Sequence, residues 1–134
     1  MATDPLCPCG RQVGGRPLAW SACCGRHVDA FERCPAPDAE ALMRSRYSAF
    51  VHGQADYLLA TWHPSTRPAT LELEPGVKWL GLEVRRHRRL DETRAEVEFV
   101  ARSRLAGRGQ RLHETSRFVQ EDGRWYYVDG DLSP

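Results

Sequence analysis

The sequence predicts an α+β fold: a short cysteine-rich segment, then two helices, then about four antiparallel strands. Three observations lead to this. Four cysteines stand in two close pairs near the start, Cys7-Pro8-Cys9-Gly10 and Cys23-Cys24-Gly25. After Asp38, apolar residues recur at helical three- and four-residue steps, and from Arg94 onward they alternate, with turn residues between the alternating stretches. Helices followed by antiparallel strands form a helical layer on one face of a sheet. At 134 residues the chain suits one compact domain with a small appendage, divided into a metal-binding segment, 1–34, and an α+β domain, 35–134.

The first segment is rich in Gly and Pro and poor in apolar residues, so something other than a hydrophobic core must fold it. Thiol pairs on tight turns supply what a tetrahedral Zn²⁺ requires, with Zn–S bonds of about 2.3 Å, and four protein ligands make a closed structural site. The expected ligands are Cys7, Cys9, Cys23 and Cys24, with His27 able to replace one of the adjacent thiols. Disulfides and redox-active thiols are the competing readings. Met1 to Leu6 shows neither the basic nor the apolar region of a secretory signal, so a reducing, cytoplasmic setting is expected. Cys34, within Arg33-Cys34-Pro35, reads as an ordinary linker cysteine.

Residues 29–37, with Pro35 and Pro37, read as a linker. Asp38 suits a helix N-cap. Ala39, Leu42, Met43, Arg46, Tyr47, Phe50 and Val51 form one stripe of the helix that follows, and Gly53 suits its left-handed stop. A second short helix is expected from about Ala55 to Trp62, with Leu58, Leu59 and Trp62 inward and Pro64 ending it. Strands are expected over Val77–Val84, Arg94–Leu105, Arg111–Val119 and Trp125–Val128. Gly107-Arg108-Gly109 supplies one turn, and Asp122-Gly123 is a strong two-residue hairpin signal.

Composition excludes more than it selects. Nineteen basic and 18 acidic residues leave a formal charge of +1, so no gross pull toward nucleic acid or membrane surfaces exists. No apolar run is long enough for a membrane helix. Lys78 is the sole lysine and Ile and Asn are absent, a bias that a GC-rich genome explains; it discounts arginine abundance as a sign of RNA binding. Only Arg85-Arg86-His87-Arg88-Arg89 is dense enough to be an electrostatic hint, and nucleic acid is not an expected partner.

Long words in the chain resemble the YchJ family of bacterial proteins. They include Ala41-Leu42-Met43-Arg44-Ser45-Arg46-Tyr47-Ser48-Ala49-Phe50, Thr61-Trp62-His63-Pro64-Ser65-Thr66-Arg67 and Asp122-Gly123-Arg124-Trp125-Tyr126-Tyr127-Val128-Asp129-Gly130. Val97 to Ala101, Leu112-His113-Glu114 and Ser116-Arg117-Phe118 belong to the same likeness. The first cysteine block resembles the SEC-C zinc motif, also found at the C-terminus of the SecA translocation ATPase. The resemblance implies a nuclear-transport-factor-like, cystatin-type cone for the main domain, in which a curved sheet wraps helices around a pocket. It also implies a protein or ribosome partner for the zinc knuckle, and no activity. The loop between the cysteine pairs, Arg11 to Ala22, is longer than usual for the family, and Gly14-Gly15 looks like the inserted part.

The pocket implied by the cone would be lined by Arg46, Trp62, His63, Arg67 and Glu114. Alternation puts Glu114 on the inner face with Leu112, Ser116 and Phe118, and His113 on the other. A carboxylate buried there needs a partner, for which Arg46 is the candidate. His63 reads either as a base beside the pocket or as a cap on the preceding helix's carbonyls. Trp79, Trp125, Tyr126 and Tyr127 read as packing. The first functional reading is a non-enzymatic binding or adaptor protein with structural Zn²⁺, monomeric or homodimeric. The alternative is a small-molecule enzyme of isomerase, dehydratase or hydrolase type, with Glu114 or His63 as base.

Overall fold

The computed structural model describes residues 4–133; Met1 to Thr3, which open the stretch read as lacking a leader, lie outside the described residues. The chain begins with a knuckle. Cys7 to Gly10 make a tight turn, and a miniature hairpin follows, β1 (Gln12–Val13) paired with β2 (Arg16–Pro17). Its two-residue loop is Gly14-Gly15, with φ of 60° and 78°, the conformation that a type I′ turn requires at both positions. The stretch that looks inserted is an ordered hairpin. A short 3-10 turn at Trp20–Ala22 leads to α1 (Gly25–Val28). Gly25 is obligatory there, because a Cβ would sit 2.6 Å from the Trp20 carbonyl oxygen.

The central helix α2 (Ala39–His52) starts and stops as its sequence dictates. Asp38 accepts from the Ala41 amide at 2.7 Å, and Gly53 ends the helix at φ 69°. The second helix, α3 (Ala55–Ala60), is shorter than expected. Thr61 closes it by donating its hydroxyl to the Tyr57 carbonyl, and Trp62 leaves the helix to bridge Tyr127 in parallel. Its buried face is Tyr57 and Leu58, whereas Leu59 and Trp62 are only half-buried.

Four antiparallel strands follow as a meander: β3 (Lys78–Arg89), β4 (Arg94–Leu105), β5 (Arg108–Glu121) and β6 (Arg124–Leu132), in that spatial order. All but β4 run longer than the sequence pattern suggests, because ladder hydrogen bonds carry them past the apolar stretches. The β4–β5 turn is Ala106-Gly107 rather than Gly107–Gly109, with both φ values positive (53° and 78°), and Gly109 belongs to β5. Asp122-Gly123 turns the last hairpin, with φ of 52° and 78°.

On the inner sheet face, Ala95, Val97, Phe99, Ala101, Phe118 and Trp125 pack against Leu42, Met43 and Tyr47 of α2. The buried cysteines belong to this same core. A smaller cluster of Ala49, Tyr57 and Leu58, with Phe31, Leu71 and Leu73, joins α2 to α3 and the connecting segments. Among the described residues no helix is long and apolar enough to cross a membrane.

The basic run does not make a patch. A bulge at Arg85 shifts the register of β3, so His87 and Arg89 pair opposite inward Val97 and Ala95, while Arg86 and Arg88 lie opposite Glu98 and Glu96 on the outer face. Arg85 meets Glu83 at 3.5 Å, Arg88 meets Glu96 at 3.9 Å, and Arg89 binds the Asp91 and Glu92 carbonyls.

Candidate functional site

The knuckle brings Cys7, Cys9, Cys23 and Cys24 together with all four sulfurs within 4.8 Å of one another, and every one is buried. Cys7 Sγ lies 3.6 Å from Cys9 Sγ, which lies 3.6 Å from Cys23 Sγ. Metal–sulfur bonds of about 2.3 Å place tetrahedral ligands about 3.8 Å apart, whereas a disulfide needs about 2.05 Å. The donor set therefore fits a tetrahedral thiolate-seeking dication, and all five cysteines are free. His27 is not part of the set. It is buried, its ring Nδ1 bonds the Cys34 carbonyl at 2.8 Å, and burial lowers its affinity for a proton.

The crowding of four thiols drives their proton affinities apart. Hydrogen bonds from Cys24 and Cys9 pull Cys7 far down. Burial, followed by the charges of Cys9 and Cys7, pushes Cys23 up to about 12, and Cys24 is raised by its bonding to Cys7 and Cys9. Four sulfurs at such distances share protons or surround a cation; a dication at their centre replaces the shared protons.

The helix beneath supports the ligands. Ser48 Oγ of α2 lies 3.5 Å from Cys7 Sγ. Arg44 donates to the Cys9 carbonyl at 3.1 Å while held by Glu40 at 2.8 Å. Arg124, at the start of β6, donates to the carbonyls of Phe31 and Glu32, so the segment after the knuckle is tied to the sheet.

A second feature lies between α2 and the inner sheet face: a cavity of about 270 Å³ lined by Arg46, Glu114, Ser116 and the rings of Tyr47, Trp62, Trp79 and Tyr127, among others. Of the expected pocket residues, the structure brings Arg46, Trp62 and Glu114 together there and leaves His63 and Arg67 outside. Arg67 is exposed and donates from Nε to the Trp62 carbonyl at 2.8 Å. His63 neither caps α3 nor faces the cavity. Its amide donates to the Tyr127 carbonyl at 2.7 Å, its Nδ1 meets Ser65 Oγ at 2.7 Å, and its Nε2 meets Glu121 on β5. Ser65, His63 and Glu121 resemble a nucleophile relay in outline. The Ser65 amide, however, also donates to Nδ1, so the group latches a surface turn to the sheet.

Nor do Arg46 and Glu114 pair. Arg46 Nη1 donates to the Leu58 carbonyl and to Thr61 Oγ1, both at 2.7 Å, so it fastens α2 to the end of α3. Glu114 instead accepts from Ser116 Oγ on its own strand. On the outer face, His113 bonds Glu98 at 2.7 Å, a cross-strand contact that alternation alone foreshadowed only by face. Sequence reasoning missed Thr61 and Ser48. Both sit in the long words quoted above, but a small hydroxyl residue within a helix or at its end announces no partner.

Residues 38–130 match the family model described as the YchJ middle, NTF2-like domain. The chain is 67% identical over 127 residues to a UPF0225 protein of a Polaromonas species, covering 93% of this chain and 91% of the relative. It is 60% identical over 134 residues to a UPF0225 protein of Bordetella parapertussis, covering 98% and 96%. Among solved structures, a SEC-C motif containing protein from Psychrobacter arcticus superposes with a TM-score of 0.79 at 31% identity, over 96% of this chain and 83% of the other. One from Rhodopseudomonas palustris gives 0.80 at 33% identity, over 97% and 100%.

Proposed function

This chain belongs to the YchJ (UPF0225) family, and from that premise we propose that it is a binding or adaptor protein with a structural zinc ion rather than an enzyme acting at a metal. One observation carries the reading: four buried thiols converge within 4.8 Å, so a tetrahedral ion has every position filled by protein. Such a site holds a fold together and leaves no room to bind substrate or activate water. Zinc is the choice among metals because an all-thiolate tetrahedral set suits it. Free thiols at these distances fit a reducing cytoplasm. The knuckle also offers apolar side chains outward, Leu6 and Val13, each 62% exposed, to a protein or ribosome partner.

Elemental analysis of protein purified without chelators, paired with a thiol count after denaturation, tests this reading. About one zinc per chain, lost in Cys9→Ser and Cys23→Ser, is the expected result. Absence of metal with fewer than five free thiols would overturn it in favour of thiol–disulfide chemistry. Recovery of the same partners by pull-down before and after Cys23 and Cys24 are replaced would remove the knuckle as the contact.

The cavity beside Glu114 supports a second reading, a small-molecule enzyme with Glu114 as base and Arg46 as electrophilic partner. Turnover of a candidate substrate that is lost in Glu114→Gln while zinc is retained would favour it.

A further inference from the structure

Arg46 is only 4% exposed, yet its guanidinium carries five N–H donors. Both of its protein hydrogen bonds leave from Nη1. The guanidinium is planar and rigid, so anchoring Nη1 leaves the Nε–Nη2 edge facing elsewhere. No side-chain or backbone acceptor among the described residues meets that edge, and no sealed side-chain polar atom among them lacks a partner. The edge therefore opens on the cavity that Arg46 lines. The guanidinium is held in place by Tyr127 and Trp62, whose ring centroids lie 4.5 and 5.3 Å from its central carbon.

Glu114 lines the same cavity from β5, half-buried. Its only side-chain partner among the described residues is Ser116. Gly130 on β6 is its seat, since a Cβ there would come 2.5 Å from a Glu114 carboxylate oxygen. Burial lowers Arg46 to about 10, and the charge of Glu114 is among those that act against that fall. Yet no nitrogen of Arg46 comes within the 4.0 Å of a Glu114 oxygen that an ion pair needs. A built space of about 270 Å³ thus holds one free cationic edge, one carboxylate and aromatic walls. It is smaller than the roughly 300–1,000 Å³ of pockets that take drug-sized ligands.

We propose that this cavity binds a free α-amino acid with an apolar side chain, its carboxylate on the Nε–Nη2 edge of Arg46, its ammonium on Glu114 and its side chain among the rings. The inference rests on reading the α+β domain as a binding module. A lone carboxylate would set a like charge against Glu114, and a lone amine would do the same against Arg46. An apolar neutral molecule would strip water from both charges and return no partner. Of these classes, the zwitterion is the one that satisfies both ends.

The test titrates the full chain with L-phenylalanine while following tryptophan fluorescence, since Trp62 and Trp79 line the cavity. The single-charge probes are 3-phenylpropionate and 2-phenylethylamine, and L-aspartate controls for the apolar wall. The expected result is saturable binding of L-phenylalanine, with each of the other three weaker by about tenfold or more. In Glu114→Gln, L-phenylalanine should fall to the affinity of 3-phenylpropionate. That variant keeps the size of the side chain, whereas replacing Arg46 would also release α3. Absence of a saturable response up to about 10 mM, or equal affinity for the single-charge probes, overturns the proposal. Metal is measured on the same sample. Zinc present without a response overturns the ligand alone, and a response without zinc overturns the metal-stapled reading alone.

Discussion

Between Asp4 and Cys24 the only buried side chains are those of Cys7, Cys9, Cys23 and Cys24, whereas β4 alone buries Ala95, Val97, Phe99, Val100, Ala101 and Ser103. The knuckle is organised around one point and the sheet along a surface. Burial of apolar area is distributed and additive, so losing one side chain weakens a sheet without abolishing it. Ligands of a single ion act together, and losing one loses the site. The two regions also touch, because the cysteines share a core with Phe118 and Trp125, and Arg44 and Ser48 of α2 reach the knuckle directly. How independent they are is open to measurement.

Metal removal should have the largest effect. Structural zinc contributes an apparent ~10–16 kcal/mol in small metal-dependent domains, far more than any single side chain here. With chelator, residues 4–34 should lose amide dispersion and become protease-sensitive while the sheet keeps its resonances. If both regions melt at one chelator concentration, they are a single cooperative unit and the comparison breaks. Phe118→Ala comes next, expected to cost about 3–5 kcal/mol in urea unfolding because the side chain is fully buried. The native variant should keep its metal; loss of metal would mean that the core governs the knuckle.

Alkaline pH should act on the α+β domain through its buried phenols. Burial pushes the phenols of Tyr47, Tyr57 and Tyr127, on α2, α3 and β6, up to about 12 from an ordinary value of 10.0. The folded state thus holds these protons where the unfolded state has released them. Their contribution is whole below pH 10 and lost as pH rises toward about 12. Phenolate absorbance and circular dichroism should change together across that window; phenolate formation complete near pH 10 in folded protein would contradict it. The smallest effect is that of Asp38→Ala, which removes the 2.7 Å bond to the Ala41 amide. It should cost about 1 kcal/mol in thermal or urea unfolding and leave metal content unchanged.

What could be read in advance follows a physical line. Asp38, Gly53 and Asp122-Gly123 act on their own neighbours, through one amide, one left-handed residue and one tight turn, so their roles show in a short stretch of sequence. The alternation that places Glu114 with Ser116 and Phe118 is equally local, since successive side chains of a strand must point to opposite faces. Gly14-Gly15 carried the same kind of signal, and its reading as an insertion obscured it. The ends of β3 and β6 were hidden for a different reason. Ladder hydrogen bonds belong to pairs of strands, and the partner of a charged residue such as Arg88 is not written beside it.

By itself, then, the sequence determined the two close cysteine pairs, the start and stop of α2, the face on which Glu114 lies and the order of α2 and α3 before the four-stranded sheet. Those depend on chemistry and geometry within a few residues. Only the tertiary structure decided that Arg46 turns to α3 rather than to Glu114, that His63 latches Glu121 outside the cavity, and that the basic run divides between two faces. A charged side chain on a long stem can reach several partners, and the one it takes is set by which element the fold carries past it.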